Sequence, residues 1–92
     1  MIRSFASRET EMLFFSRQVP RFKNIERVAR RKLQMLHAAS KLDELRLLPE
    51  NRLETLSGDR IGQFSIRVND QWRICFHWVD DGAYDVEIVD HH

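Results

Sequence analysis

Two pairs of residues in this chain have the types and spacing to do chemistry: Arg67 with Arg73, and His91 with His92. A three-residue loop at Asn69–Gln71, joining two antiparallel strands, opposes Val68 to Trp72, Ile66 to Ile74 and Arg67 to Arg73. Opposed residues share a face, and like charges so placed repel each other. An anion is therefore expected nearby: Asp90, Glu54, a phosphate or a carboxylate from another molecule. Guanidinium forks match phosphate oxygens, which makes the pair a candidate phosphate site. The plainer alternative is a solvated polar face, with salt bridges to Glu87 or Asp85. Imidazole titrates near neutrality and can exchange a proton with a ribose hydroxyl or a leaving oxygen. A terminal His pair is otherwise a frayed tail or a tag remnant. Two histidines are few for a tag, and a strand pattern runs directly into them. Neighbours on a strand point to opposite faces, so the two are poor co-ligands. With one cysteine and no His-x-x-x-His spacing, no metal site is expected. His37 and His77 read as surface or packing residues.

The elements that must position these groups lie in the second half. Phe64, Ile66 and Val68, then Trp72, Ile74, Phe76 and Trp78, then Tyr84, Val86 and Ile88 alternate with polar or smaller residues. Period-two alternation predicts half-buried strands. Asn69-Asp70 and Asp80-Asp81-Gly82 supply the turns. A three-residue loop through Gly82 opposes Trp78 to Tyr84, Phe76 to Val86 and Arg73 to Val89. The last strand then runs past Arg73 and brings Asp90, His91 and His92 to that end of the sheet. By parity His91 falls on the face of Arg67 and Arg73.

The first half reads as helices. Met1–Phe5 suits a short first strand. Ser7 is a candidate N-cap, with Glu9 and Glu11 in the first turn of a helix reaching about Arg17. Val19-Pro20 ends it. Asn24 can cap a second helix whose apolar stripe is Ile25, Val28, Ala29, Leu33 and Leu36. Lys32 falls inside the apolar arc, where a snorkelling ammonium is expected. Lys23, Arg27, Arg30 and Arg31 lie opposite. Such a stripe is either a solvated face or a track for a nucleic-acid backbone. It lacks the aromatic interleaving of a single-strand platform, so double-helical RNA suits it better. Ser40 can cap a short third helix with Leu42 and Leu45, closed by Pro49. The expected fold is α+β: two to three N-terminal helices packed on a twisted antiparallel sheet, one domain over residues 1–92.

Composition agrees with this picture. A chain of 92 residues buries only about two-thirds of its unfolded surface. Six Phe, two Trp and one Tyr supply bulk for a small core, and the ordinary apolar content argues against disorder. Residues 1–46 carry a formal charge of +6 and residues 47–92 one of −5, for a net +1. This segregation points to a basic surface facing an anionic partner, or to a basic helix packed beside an acidic sheet. One cysteine cannot form an internal disulfide and fits a reducing compartment. No apolar run approaches the ~20 residues of a membrane span, and the N-terminus lacks a signal-peptide segment. A cytoplasmic protein is expected.

Three stretches carry a family resemblance: Asn51-Arg-Leu-Glu-Thr-Leu-Ser-Gly-Asp-Arg60, Gly62-Gln-Phe-Ser-Ile-Arg-Val-Asn-Asp-Gln-Trp-Arg-Ile-Cys-Phe76 and Val86-Glu-Ile-Val-Asp-His-His92. With the opening Met1-Ile-Arg-Ser-Phe5 and the long basic helix, they resemble the HigB toxins. The resemblance covers essentially the whole chain. It implies a RelE-like fold and the toxin half of a type II toxin–antitoxin module. It also implies metal- and cofactor-free cleavage of messenger RNA in the ribosomal decoding site. The message's 2′-hydroxyl would attack the adjacent phosphate, leaving a cyclic phosphate and a free 5′-hydroxyl. The implied partners are the ribosome, the message and a HigA-type helix-turn-helix antitoxin, with operator DNA bound only through the antitoxin.

Carried over by position, Arg73 would stabilise the phosphate in the transition state. His92 would be the acid/base candidate, and Asp90 would orient a neighbour or the RNA. His91 stands where tyrosine is common, implying stacking or hydrogen bonding in its place. Glu54 stands where some members have histidine, which makes it a candidate base. Ser57 stands where some have lysine, one cation fewer. Two other readings share the fold: a non-catalytic binding toxin of the gyrase-inhibitor type, and a weakened toxin acting mainly with its antitoxin in operon regulation. The Arg73, His92 and Asp90 set favours the nuclease.

Overall fold

The computed structural model describes residues 1–90; His91 and His92 lie outside the described residues. Helix α1 spans Arg8–Phe14, α2 spans Glu26–Ala38 and α3 spans Leu42–Arg46. Strands β1 (Glu54–Thr55), β2 (Phe64–Arg67), β3 (Trp72–Val79) and β4 (Gly82–Asp90) form one antiparallel sheet in the order β1-β2-β3-β4. The helices pack on one face of it, as an α+β fold requires. Leu13, Phe22, Leu33 and Leu36 meet Ile66, Ile74, Phe76, Val86 and Ile88 in a single core cluster. The expected first strand appears as two parallel bridges along the outer edge of β4, Ile2 with Ala83 and Phe5 with Val86.

Helix α1 starts as expected: the Ser7 hydroxyl accepts from Thr10 N at 3.2 Å. It ends three residues earlier than the sequence predicts. Ser16 adopts φ 65°, with Ser16 N donating to Leu13 O and Arg17 N to Met12 O. That is a Schellman cap, with serine in the position glycine usually takes. Arg30 completes it. Its Nε donates to Leu13 O at 3.0 Å and its Nη2 to Arg17 O at 3.4 Å, while Nη1 pairs with Glu26 at 3.3 Å. Arg30 therefore serves α1, whereas Lys23, Arg27 and Arg31 are exposed.

Asn24 does not cap α2. A three-ten turn over Pro20–Ile25 leads into the helix, and Ile25 takes the cap position without a side-chain hydrogen bond. Lys32 does not snorkel. It is buried, and its Nζ donates to Asn51 Oδ1 at 2.6 Å with Glu50 at 3.8 Å. Burial pulls its pKa down, against the opposing pull of Glu50. At α3 the helix begins after Lys41. Glu44 reaches back to the Ser40 N–H and hydroxyl, contacts that hold its carboxyl below the usual range.

The β2–β3 hairpin has the expected register. Ile66 faces Ile74 and Arg67 faces Arg73, and Val68 N donates to Trp72 O at 2.9 Å. The Asn69 side chain shapes the loop by accepting from Gln71 N and Trp72 N. The β3–β4 hairpin departs from expectation. Its loop is two residues, Asp80 and Asp81, so Trp78 faces Ala83 and His77 faces Tyr84. Phe76 falls at an irregularity and does not pair with Val86. One extra residue in β4 then restores the expected pairing of Arg73 with Val89. Asp85, at φ 55° and with its N–H bound to the Ser4 hydroxyl, marks this bulge.

Candidate active site

Side chains alternate along β2, β3 and β4, so the sheet face turned from the helices carries Ser65, Arg67, Arg73, Cys75, Glu87 and Val89. The chain between Arg52 and Arg60 folds over part of this face. Together they enclose a cleft of about 320 Å³ lined by Leu56, Ser57, Arg60, Ser65, Arg73, Cys75, Val89 and Asp90. Volumes of ~300–1,000 Å³ hold small ligands.

Arg73 forms the floor. It is only 5% exposed. Its Nε donates to the Ser65 hydroxyl at 2.7 Å, and its Nη2 to Arg52 O at 2.7 Å and Ser65 O at 3.3 Å. Nη1 has no partner among the described residues, and none of their side-chain nitrogens is both buried and unpaired. Nη1 is therefore the nitrogen open to solvent in the cleft. Glu54 forms an ion pair with Arg73, 4.0 Å from Nη2 and about half exposed. Among the described residues the guanidinium's hydrogen bonds go to neutral acceptors, so its charge is met only by the long Glu54 contact. Such an arrangement costs stability and suits an incoming anion.

The opposed arginines relieve their repulsion by diverging. Arg67 turns to Asp70 at the loop, while Arg73 turns inward. The solvated-face alternative is not realised: Glu87 pairs with Arg60 at 3.1 Å, and Asp85 lies 3.9 Å from His77. Arg60 is the second cation of the cleft, held also by Gln63 at 3.0 Å. The short three-ten turn that presents it, Gly58–Arg60, begins at Gly58 with φ 64° and is followed by Gly62 at φ 92°, left-handed positions that favour glycine.

Of the residues singled out from sequence, Arg73 and Asp90 line the cleft, and Glu54 stands at its edge beside Arg73. Asp90 pairs opposite Trp72, and Gln71 Nε2 donates to its carboxylate at 3.2 Å. Arg67 shares the face but is not part of the cleft lining. Lys23, Arg27, Arg30 and Arg31 belong to the helical layer. The proposals for His91 and His92 fall outside the described residues. Sequence reasoning missed Ser65, Arg60 and the Arg52 carbonyl. Ser65 was findable, because it is the diagonal neighbour of Arg73 once Arg67 is opposed to it. Arg60 sits in an irregular segment without periodicity.

Residues 12–92 match the HigB-like toxins, RelE-like toxins of type II toxin–antitoxin systems. The chain belongs to this family. It is 44% identical over 68 residues to Toxin HigB-1 of Vibrio cholerae, spanning 74% of this chain and 72% of that protein. It is 34% identical over 95 residues to Endoribonuclease HigB of Proteus vulgaris, with both chains covered in full. Membership of a type II toxin family implies an antitoxin as partner. Among the described residues no helix is long and apolar enough to cross a membrane. Nor do they contain a group of three or more His, Cys, Asp or Glu able to hold a metal ion.

Cys75 lines the cleft of this HigB-like chain but is a poor nucleophile. Burial pushes its thiol pKa up, and the nearby Arg60 and Arg73 only partly offset this. The folded protein is expected to react slowly with iodoacetamide at neutral pH and quickly once unfolded. Mass spectrometry over time checks this. Rapid modification of folded protein would place the thiol in open solvent.

Proposed function

We propose that this chain is a ribosome-dependent endoribonuclease that cuts messenger RNA in the cleft around Arg73. The observation that carries the reading is the Arg73 guanidinium, locked by Ser65 and the Arg52 carbonyl with one nitrogen open to the cleft. The message's 2′-hydroxyl attacks the adjacent phosphorus and loses its proton to a base. The P–O5′ bond breaks, and the leaving oxygen takes a proton. The products are a cyclic phosphate and a 5′-hydroxyl end. Negative charge grows on the non-bridging oxygens in the transition state, where preorganised donors act most strongly. Arg73 supplies that donor and Arg60 adds a second cation. His92 is the acid/base candidate and Asp90 orients a neighbour or the RNA. His91 contacts the substrate, and Glu54 is the alternative base. Arg67 holds the RNA backbone at the rim. The name of the Proteus vulgaris relative, Endoribonuclease HigB, supports the reaction class.

Expression in cells followed by primer extension on cellular messages tests the reading. Discrete cuts within translated messages are expected. Supercoiling changes without cuts would instead assign a gyrase-binding toxin. The site of action is the cytoplasm, where ribosomes translate. A HigA-type helix-turn-helix antitoxin is the neutralising partner, and operator DNA is reached through it.

The exposed Lys23, Arg27 and Arg31 supply a sequence-independent hold on ribosomal RNA. Reversing Arg27 and Arg31 to glutamate is expected to weaken ribosome binding and to flatten its salt dependence. The log–log slope should fall by about 0.7–0.9 per lost phosphate contact. Arg30 is left in place because it caps α1. Unchanged affinity and slope in a folded double variant would remove α2 from the ribosome interface.

A further inference from the structure

Residue 52 is an unusual place for an arginine. Its backbone is left-handed, φ 43° and ψ 56°, a region uncommon for any side chain with a Cβ and an outlier for β-branched ones. Its carbonyl is the acceptor for Arg73 Nη2 at 2.7 Å. The turn before it, Pro49–Asn51, is anchored from within. The Asn51 side chain is fully buried, accepts from Lys32 Nζ at 2.6 Å and donates to Leu45 O at 3.0 Å, with Met35 Sδ 3.4 Å away. Arg52 N closes the turn on Pro49 O at 3.1 Å. A buried lysine and a buried asparagine, 19 residues apart, thus pin the residue immediately before the carbonyl that clamps Arg73.

We propose that Arg52 is a positioning residue, whose main-chain carbonyl, aimed by the Lys32–Asn51 pair, sets the angle at which Arg73 meets the reacting phosphate. This rests on the reading of Arg73 as the transition-state donor. Two of the guanidinium's three nitrogens are held, so rotation of the Arg52 peptide would leave Nη2 only its longer bond to Ser65 O at 3.3 Å and loosen the plane about Nε. A displacement of about 1 Å at a reacting centre can cost on the order of a hundred-fold in rate. The Lys32 network would otherwise be an expensive way to hold a surface turn.

Arg52→Val and Arg52→Gly remove the same side chain but differ in the backbone they allow. Single-turnover cleavage is measured on programmed ribosomes, at a temperature where circular dichroism shows every variant folded. Arg52→Val is expected to lower the maximal rate about ten- to hundred-fold, with the half-saturating ribosome concentration unmoved, and Arg52→Gly to recover most of it. Asn51→Ala is expected to follow Arg52→Val; should it not fold, the Arg52 pair carries the test. A folded Asn51→Ala at full rate would overturn the role of the Lys32–Asn51 pair. Full activity in Arg52→Val beside an inactive Arg73→Ala would overturn the inference and leave the active site standing. Arg52→Gly as slow as Arg52→Val would assign the effect to the side chain, and a change confined to half-saturation would assign it to binding. Either result overturns the proposal. Full activity in Arg73→Ala would overturn both this inference and the reading beneath it.

Discussion

Alanine in place of Arg73 is expected to slow single-turnover cleavage on programmed ribosomes about 10²–10³-fold, the usual loss for one transition-state donor. The expectation follows from how the side chain is held. Three hydrogen bonds to Ser65 and Arg52 fix the guanidinium before substrate arrives, so little reorganisation remains for the transition state. Lysine should recover little of the rate, because a single ammonium cannot keep those acceptors and still reach a phosphate. The substitution leaves Ser65 and the Arg52 carbonyl without their donor, which costs about 1–3 kcal/mol of stability. Rates are therefore compared well below the melting temperature of the variant. Ribosome affinity should persist if, as proposed, the basic face of α2 supplies it. In the same assay His92→Ala is expected to lose about 10²–10⁴-fold if the imidazole moves a proton. Loss in Glu54→Ala with His92→Ala intact would make Glu54 the base. Full rates in all three variants would show that this face is not where RNA is cut.

The free protein is expected to cut naked RNA far more slowly than a message held in the ribosome. In-line attack needs the 2′-hydroxyl, the phosphorus and the leaving oxygen nearly collinear. Orientation of this kind is worth up to ~7–11 kcal/mol. Among the described residues the cleft of about 320 Å³ offers two fixed cations, Arg60 and Arg73, to a phosphate. In the function proposed above, the ribosome holds ribose and base in that line. Comparing cleavage of one message free and ribosome-bound, at equal protein concentration, measures the difference directly. Equal rates would mean that the chain orients its own substrate.

Local chemistry made some of this fold legible in advance. The β2–β3 hairpin was readable because alternation is unbroken through Phe64–Val68 and Trp72–Trp78 and the Asn69 side chain closes the loop by accepting from Gln71 N and Trp72 N. The Arg67–Arg73 opposition followed at once. What stayed hidden depends on partners distant along the chain. Arg30 reaches Leu13 O across 17 residues, and Lys32 reaches Asn51 across 19. Helical periodicity reports a residue's angle on its own helix, not the acceptor waiting opposite. It placed Arg30 on a free face and Lys32 at an edge for that reason. The burial of Arg73 was equally invisible, because the cover comes from the irregular stretch after Arg52. The β3–β4 register failed at the turn yet succeeded at Arg73, since an assumed third loop residue and the real extra residue at Asp85 shift the count equally.

That extra residue gives β4 one place where its length can change without moving the site. Asp85 can give way to asparagine or glycine, which accept its φ of 55°. Deleting it outright would leave Tyr84 facing His77 and Glu87 facing Cys75 in an unbroken ladder, so every later side chain keeps its side. A loss further along is a different matter. With the bulge kept, removing Glu87 would turn Ile88 from the core into the cleft and Val89 from the cleft into the core. Among related chains, a single-residue gap in this strand should therefore fall at the bulge and avoid 87–89.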